Sequence, residues 1–176
     1  MAVRPDVTQI YRDHHAFVWR IARRLGVPDA SVDDAVQEVF VVLHRRRGEL
    51  DFSGPVRALL YGITRRVAKR ARDKASAAAQ LRVVASSTAR ENPETDAATR
   101  EKAAVLQAAL DELDEGKRMT FVLSDIEGMT IPEVATAMDV NLNTSYARLR
   151  AARQKLGEAV ARHREAEGGE HVQSGT

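Results

Sequence analysis

The chain has 176 residues, 44% of them hydrophobic and 5% aromatic, enough for one ordinary core or two small ones but poor material for a β-sandwich. It has no cysteine, which excludes disulfides, zinc–thiolate sites and a thiol switch, and fits a reducing cytosol. The formal net charge is only +2, yet cations gather in Arg45–Arg47, between Arg57 and Lys74 and between Arg148 and Lys155, while acids gather in Glu91–Asp96 and Asp111–Glu115. Basic stripes on two separate segments read either as a footprint on a polyanion or as solvated helix faces.

The first residues, MAVRPDVTQIYRDHH, carry no apolar signal-peptide core. No apolar run approaches the ~18 residues of a membrane span, so neither secretion nor membrane insertion is expected and the place of action is the cytoplasm. Val7, Ile10, Tyr11, His14, Val18, Ile21 and Leu25 recur at three- and four-residue steps, which predicts an amphipathic helix stopped by Gly26 and Pro28. Ser31 stands three residues before Asp34, the spacing of an N-cap with an acidic partner. The helix it opens buries Val32, Ala35, Val36, Val39, Phe40 and Leu43, and runs into Arg45–Arg47, where cations meet the negative end of the helix dipole. After a turn from Gly48 to Gly54, Pro55 suits the first turn of a third helix with apolar Val56, Leu59, Leu60, Ile63 and Val67.

These helices make a first lobe of three or four helices over residues 1–75. From Ser76 the periodicity fails, and Asn92-Pro93 breaks any helix, so residues 76–100 are expected to be a flexible linker with a helical extension at its start. Periodicity returns at Leu106, Ala109, Leu110 and Leu113, and the second lobe covers residues 101–164. The polar tail, 165–176, is expected to be disordered. The fold class is therefore all-α: two small helical lobes joined by a linker.

Within the second lobe, Thr130 and Glu133 have the spacing of a capping box, and Pro132 falls in the first turn of the helix they open. That short helix carries Val134, Ala135 and Met138, and Met138-Asp139-Val140 makes a tight turn. Asn143 or Thr144 can cap the next helix, from Ser145 to about Val160, whose inward face is Ser145, Leu149, Ala152 and Leu156. Burial of that face turns Tyr146, Ala147, Arg148, Arg150 and Arg153 outward. A helix-turn-helix places such a helix in the major groove with its first turns at the base edges. Tyr146, Ala147 and Arg150 are then the candidates for base edges, and Arg148, Arg153 and Lys155 for phosphates. A helical hairpin with an exposed basic face would show the same arginines.

The segment GMTIPEVATAMDVNLNTSYARLRAARQKL resembles the C-terminal DNA-binding region of bacterial extracytoplasmic-function (ECF) sigma factors, members of the sigma-70 family. Gly128, Thr130, Glu133, Val140, Asn143, Thr144, Arg148, Leu149, Arg153 and Leu156 carry the likeness, while Asp139 stands where Gly is common and Ser145 where Val is usual. In the first lobe, DDAVQEVFVVLHRR resembles the family's polymerase-binding helix, and GPVRALLYGITRRVAKRAR resembles the helix that engages and melts the −10 element.

The resemblance implies a factor that binds core RNA polymerase and directs promoter-specific initiation by reading the −35 and −10 elements. Asp34, Gln37, Glu38 and Val41 would meet the β′ clamp helices, with the β flap as a further contact. Arg57, Arg65, Arg66, Lys69 and Arg70 would hold −10 DNA. Phe52, in the loop before that helix, would stack on a flipped base or else anchor the loop in the core. Asn143, Thr144, Tyr146, Ala147, Arg148, Arg150, Arg153 and Lys155 would hold the −35 element. Leu59 stands where the family often has Trp and Arg66 where it often has Asn, which weakens an aromatic wedge for melting. Promoter DNA, core polymerase and an anti-sigma protein are the implied partners.

The rival reading is a polymerase-independent helix-turn-helix regulator, which would normally dimerise on a palindrome, and no separate dimerisation helix stands out in the sequence. No enzymatic role, cofactor or metal is expected: the five histidines are scattered, and GxxxxGK[ST], HExxH and GxSxG motifs do not occur.

Overall fold

The computed structural model describes residues 6–81 and 97–170. The chain divides between Arg90 and Glu91 into two compact units, and the regular elements among the described residues of both are helices, with no strand. The all-α expectation holds.

In the N-terminal unit, α1 spans Val7–Arg24, α2 Val32–Arg46 and α3 Val56–Leu81. The Asp6 carboxylate caps α1 by accepting the Thr8 N–H at 2.9 Å. The helix ends as the glycine and proline predict, because Gly26 takes φ +79°, a conformation that costs a residue with a Cβ about 1–2 kcal/mol. Ser31 does stand at the N-cap of α2, but its side chain makes no capping bond. A single 3₁₀ turn, Asp29–Ser31, precedes the helix, and the Ser31 N–H is used on the Pro28 carbonyl at 2.8 Å. Pro55 lies just outside α3, and its carbonyl accepts the Ala58 and Leu59 N–H groups that open the helix. Val36, Phe40 and Leu43 of α2 join Ile21 of α1, Leu25 at its C-cap, and Leu60, Tyr61 and Val67 of α3 in the buried core. The Arg72 guanidinium donates to the Leu25 carbonyl, so α3 satisfies the end of α1.

At the linker, one end follows the sequence reading and the other departs from it. Helix α3 continues past residue 75 to Leu81, since Ala75, Ala77, Ala78 and Ala79 have the highest helix propensity and nothing in the segment stops a helix. The next helix, α4, begins at Ala97, inside the segment assigned to the linker. The remainder of that linker, 82–96, lies outside the described residues.

In the C-terminal unit, α4 spans Ala97–Asp111, α5 Glu115–Phe121, α6 Ile131–Met138 and α7 Leu142–Glu170. Helix α5 is capped by the Asp114 carboxylate, which accepts the Lys117 N–H at 3.0 Å. It runs on into a π-helical turn, Val122–Ile126, which shows in the Glu127 N–H reaching back to the Val122 carbonyl at 2.9 Å. Gly128, at φ +69°, then releases the chain toward α6. The Thr130–Glu133 capping box is present, with both reciprocal bonds made. Helix α7 starts earlier than the sequence suggested: Asn141 is the cap, accepting the Thr144 N–H at 2.7 Å, so Asn143 and Thr144 lie inside the first turn. Its other end passes residue 165 to Glu170, so the first part of the presumed disordered tail is helical, and 171–176 lie outside the described residues. Leu149, Ala152 and Leu156 are buried against α4, α5 and α6, with Leu110 and Leu113 prominent in the shared cluster.

Asp139 takes φ 55° and ψ 50°, the left-handed conformation that ends α6, and Ser145 is fully buried with a hydroxyl that has no hydrogen-bond partner. Both departures from the family pattern therefore cost stability. Asp139→Gly removes the left-handed penalty, and Ser145→Ala removes an unsatisfied buried hydroxyl. Each is expected to raise the unfolding free energy of the C-terminal unit by about 1 kcal/mol in urea titrations of the full chain; an unchanged or lowered midpoint would contradict the assigned costs.

Candidate nucleic-acid interface

Burial of Ser145, Leu149, Ala152 and Leu156 decides which α7 side chains reach solvent. Asn143, Tyr146, Ala147, Arg150 and Lys155 are exposed, as the helical spacing requires, and Thr144 is half-buried. Arg150 and Lys155 make no ion pair among the described residues, so both charges are available to an anion.

Two arginines expected to point outward are engaged within the unit. Arg148 is half-buried, because its guanidinium lies against Gly116 at the start of α5, where a Cβ would meet Arg148 Cζ at 3.1 Å. Its charge, after the hydrogen bonds and charge of Lys117, helps hold the Asp114 carboxyl below its ordinary range. Arg153 stays exposed but is gripped by Asp125 of the π-helical turn, with Nε and Nη2 each donating to a carboxylate oxygen at 2.8 Å. Such a planar two-point pair fixes the guanidinium orientation. Asp125 is a residue that sequence reasoning missed, since nothing in the local pattern signals a partner 28 positions away.

In the N-terminal unit, α2 turns Asp34, Gln37, Glu38 and Val41 to solvent, with Val41 39% exposed. Beside them lies a cleft lined by Tyr11, His15, Val36, Gln37, Phe40 and Val41. Tyr11 is 45% exposed and meets Phe40 edge-on at 4.8 Å. Tyr11, one of the apolar positions in the α1 spacing, is the wall of a surface cleft and not part of the core.

On α3, Arg65, Arg66, Lys69 and Arg70 are exposed along one face. Arg70 pairs with Glu38 of α2 at 2.8 Å, which joins a candidate DNA residue to a candidate polymerase residue. Arg57 stacks over the buried Phe17 ring at 4.5 Å and is half-buried, so part of its role is packing. Burial pushes the neighbouring His14 imidazole below its ordinary value, with Arg57 adding to the effect and Asp13 opposing it. Phe52 is half-buried and stands outside the buried core.

Among the described residues, no group of His, Asp or Glu is arranged to hold a metal ion, and no helix is long and apolar enough to cross a membrane.

Residues 10–78 match the family Sigma-70 region 2, and residues 103–156 match Sigma-70, region 4. The chain is 31% identical over 169 residues to the ECF RNA polymerase sigma factor SigE of Mycolicibacterium smegmatis, an alignment covering 92% of this chain and 64% of SigE. It is thus similar to about two-thirds of that longer protein. It is 30% identical over 158 residues to the RNA polymerase sigma factor CnrH of Cupriavidus metallidurans, covering 84% of this chain and 83% of CnrH. Among solved structures, CnrH in complex with the cytosolic domain of CnrY superposes with a TM-score of 0.65 at 26% identity, over 88% of this chain and 87% of that one.

The Asp125–Arg153 pair has a defined pH signature. Hydrogen bonds from Arg153 first, and its charge second, hold the Asp125 carboxyl below its ordinary value. A carboxyl depressed in the fold contributes stability that is complete above its unfolded pKa and is lost as pH falls through the folded value. Urea unfolding should therefore separate Asp125→Asn from the parent at pH 7 and bring the two together near about pH 2. A gap that persists in acid would show that the carboxylate charge is not what holds Arg153.

Proposed function

The chain belongs to the ECF sigma factors of the sigma-70 family, and from that membership we propose how its two units divide promoter-directed initiation between them. The N-terminal unit binds core RNA polymerase and engages the −10 element. The C-terminal unit reads the −35 element. The observation that carries this reading is the pairing, in one chain, of an exposed α2 patch beside a cationic α3 with a helix-turn-helix whose α7 presents exposed first turns and a free Arg150.

Asp34, Gln37, Glu38 and Val41 form the polymerase contact toward the β′ clamp helices, and the adjoining cleft with Tyr11 extends it with apolar surface. A partly polar patch with an apolar centre suits a dissociable subunit, which must also survive alone in water. Arg65, Arg66, Lys69 and Arg70 neutralise phosphates of the −10 region, and Phe52, accessible outside the core, takes an unstacked base. On α7, Arg150 has the length and exposure to reach a guanine edge, while Lys155 holds phosphate. Arg148 and Arg153, engaged with α5 and with Asp125, position the recognition helix and lend it positive potential.

The work is done in the cytoplasm, where polymerase and promoter DNA meet. A second protein partner, of the kind that the cytosolic domain of CnrY is to CnrH, would hold the factor idle by covering the surfaces polymerase needs.

The deciding experiment is transcription in vitro with core polymerase and a randomised promoter library. Specific initiation from a selected set of promoters is expected. Failure both to bind core polymerase and to direct initiation overturns the proposal, and tight dimeric binding to a palindrome without polymerase would install the regulator reading in its place. On a selected promoter, Arg150→Ala should lower discrimination at one −35 position by about tenfold to a hundredfold while core binding is retained; unchanged promoter choice would remove Arg150 from the base-reading set.

A further inference from the structure

Because α7 begins at Leu142, its outward face is one turn longer than the sequence pattern indicated. Leu142 is 43% exposed and Tyr146 is 54% exposed, the two large apolar side chains left uncovered at this end of the helix. They stand four residues apart, and Arg150 follows after four more, so the three share one outward flank, on the opposite side from half-buried Arg148. Small Ala147 lies beside them and leaves the approach open.

An uncovered apolar pair at the start of a helix invites a partner, and the charge around it identifies which. Arg150 on the same flank is an exposed cation, and the first helical turn adds the positive end of the dipole. A surface that combines positive charge with a narrow apolar strip matches the major groove, where the phosphates are anionic and the thymine 5-methyl is the apolar group on the base edges. Leu142 and Tyr146 have little capacity to tell guanine from adenine by hydrogen bonds. What they can recognise is a methyl group.

We propose that Leu142 and Tyr146 are specificity-determining residues that close on thymine 5-methyl groups in the −35 element, next to a guanine read by Arg150. From Leu142 to Arg150 the helix rises about 12 Å, which spans about three to four base-pair steps, so thymine and guanine fall within one short run of the element. This inference rests on the sigma-factor reading and names the base chemistry that its −35 site selects.

The test uses holoenzyme assembled from core polymerase and the full chain, on a promoter selected from the randomised library. Each thymine of its −35 element, on either strand, is replaced in turn by uracil, which lacks only the methyl. At one or two positions the parent holoenzyme should bind about fourfold more weakly, the equivalent of one methyl-sized contact at about 0.8 kcal/mol. In Leu142→Ala or Tyr146→Ala holoenzyme, the unaltered promoter should bind more weakly, and uracil at the matching position should add less than about half of the parent effect on the logarithmic scale. The uracil scan on the parent protein decides the methyl question whatever the variants do to folding, and Leu142→Asn provides a second exposed substitution.

A selected −35 element without thymine, or one that accepts uracil at every position, overturns this inference and leaves the sigma-factor reading intact. So does a uracil effect that stays undiminished in every variant. Loss of core binding in the variants with promoter discrimination unchanged would assign the apolar pair to a protein contact instead. If no promoter is selected at all, the sigma-factor reading falls and this inference falls with it.

Discussion

Ser145, Leu149, Ala152 and Leu156 follow one another along α7 at steps of four, three and four, and their burial against α4, α5 and α6 fixes the rotation of that helix about its axis. Everything the C-terminal unit presents to a ligand depends on this. A rotation by one position would bring Tyr146 or Arg150 inward and expose Leu149. Exposing the leucine forfeits about 1.5–3 kcal/mol, and burying an unpaired guanidinium costs several more. The outward flank of Leu142, Tyr146 and Arg150 is thus set by the core, and no interaction of those residues with one another is needed to hold it.

The N-terminal unit follows the same logic with two helices instead of one. Burial of Val32, Val36, Val39 and Leu43 on α2 turns Asp34, Gln37, Glu38 and Val41 outward, and burial of Leu60, Ile63, Thr64 and Val67 on α3 does the same for Arg65, Arg66, Lys69 and Arg70. These two surfaces meet in the Glu38–Arg70 pair. An exposed pair of this kind contributes little to stability, about 0–1 kcal/mol. Its consequence is electrostatic: acidic and basic surfaces with different proposed partners share a border, so a partner that engages Glu38 also alters the field at Arg70.

How far the site was legible in the sequence follows from which interactions are local. The capping box at Thr130 and Glu133, the Gly26 stop and the inward stripe of α7 are written in spacings of three and four, and the structure repeats them. The cap of α7 is not fixed by the sequence, because Asn141, Asn143 and Thr144 are all competent cap residues and only the helix start at Leu142 chooses among them. Asp125 as the holder of Arg153, and Gly116 as the seat of Arg148, join segments far apart in the chain, and single-sequence periodicity carries no information about such contacts. The π-helical turn at Val122–Ile126 is equally silent in the sequence, yet it is the element that carries Asp125.

Asp139 and Ser145 depart from the family pattern within the helix-turn-helix, which raises the question of whether they touch DNA recognition. Their positions argue that they do not. Asp139 ends α6 in the left-handed conformation and Ser145 lies at the bottom of the α7 stripe, so neither belongs to the outward flank. The cost of each, about 1 kcal/mol, falls on folding, where a domain has only about 5–15 kcal/mol to lose. The groove-facing residues keep their directions, because those are set by Leu149, Ala152 and Leu156 whatever occupies position 145. In the proposed reading, weak contacts by each unit still add up, since two readers on one chain raise each other's effective concentration at a promoter that carries both elements. Selectivity then requires a correct α7 surface more than a stable C-terminal unit, and the residues at 139 and 145 reduce only the second.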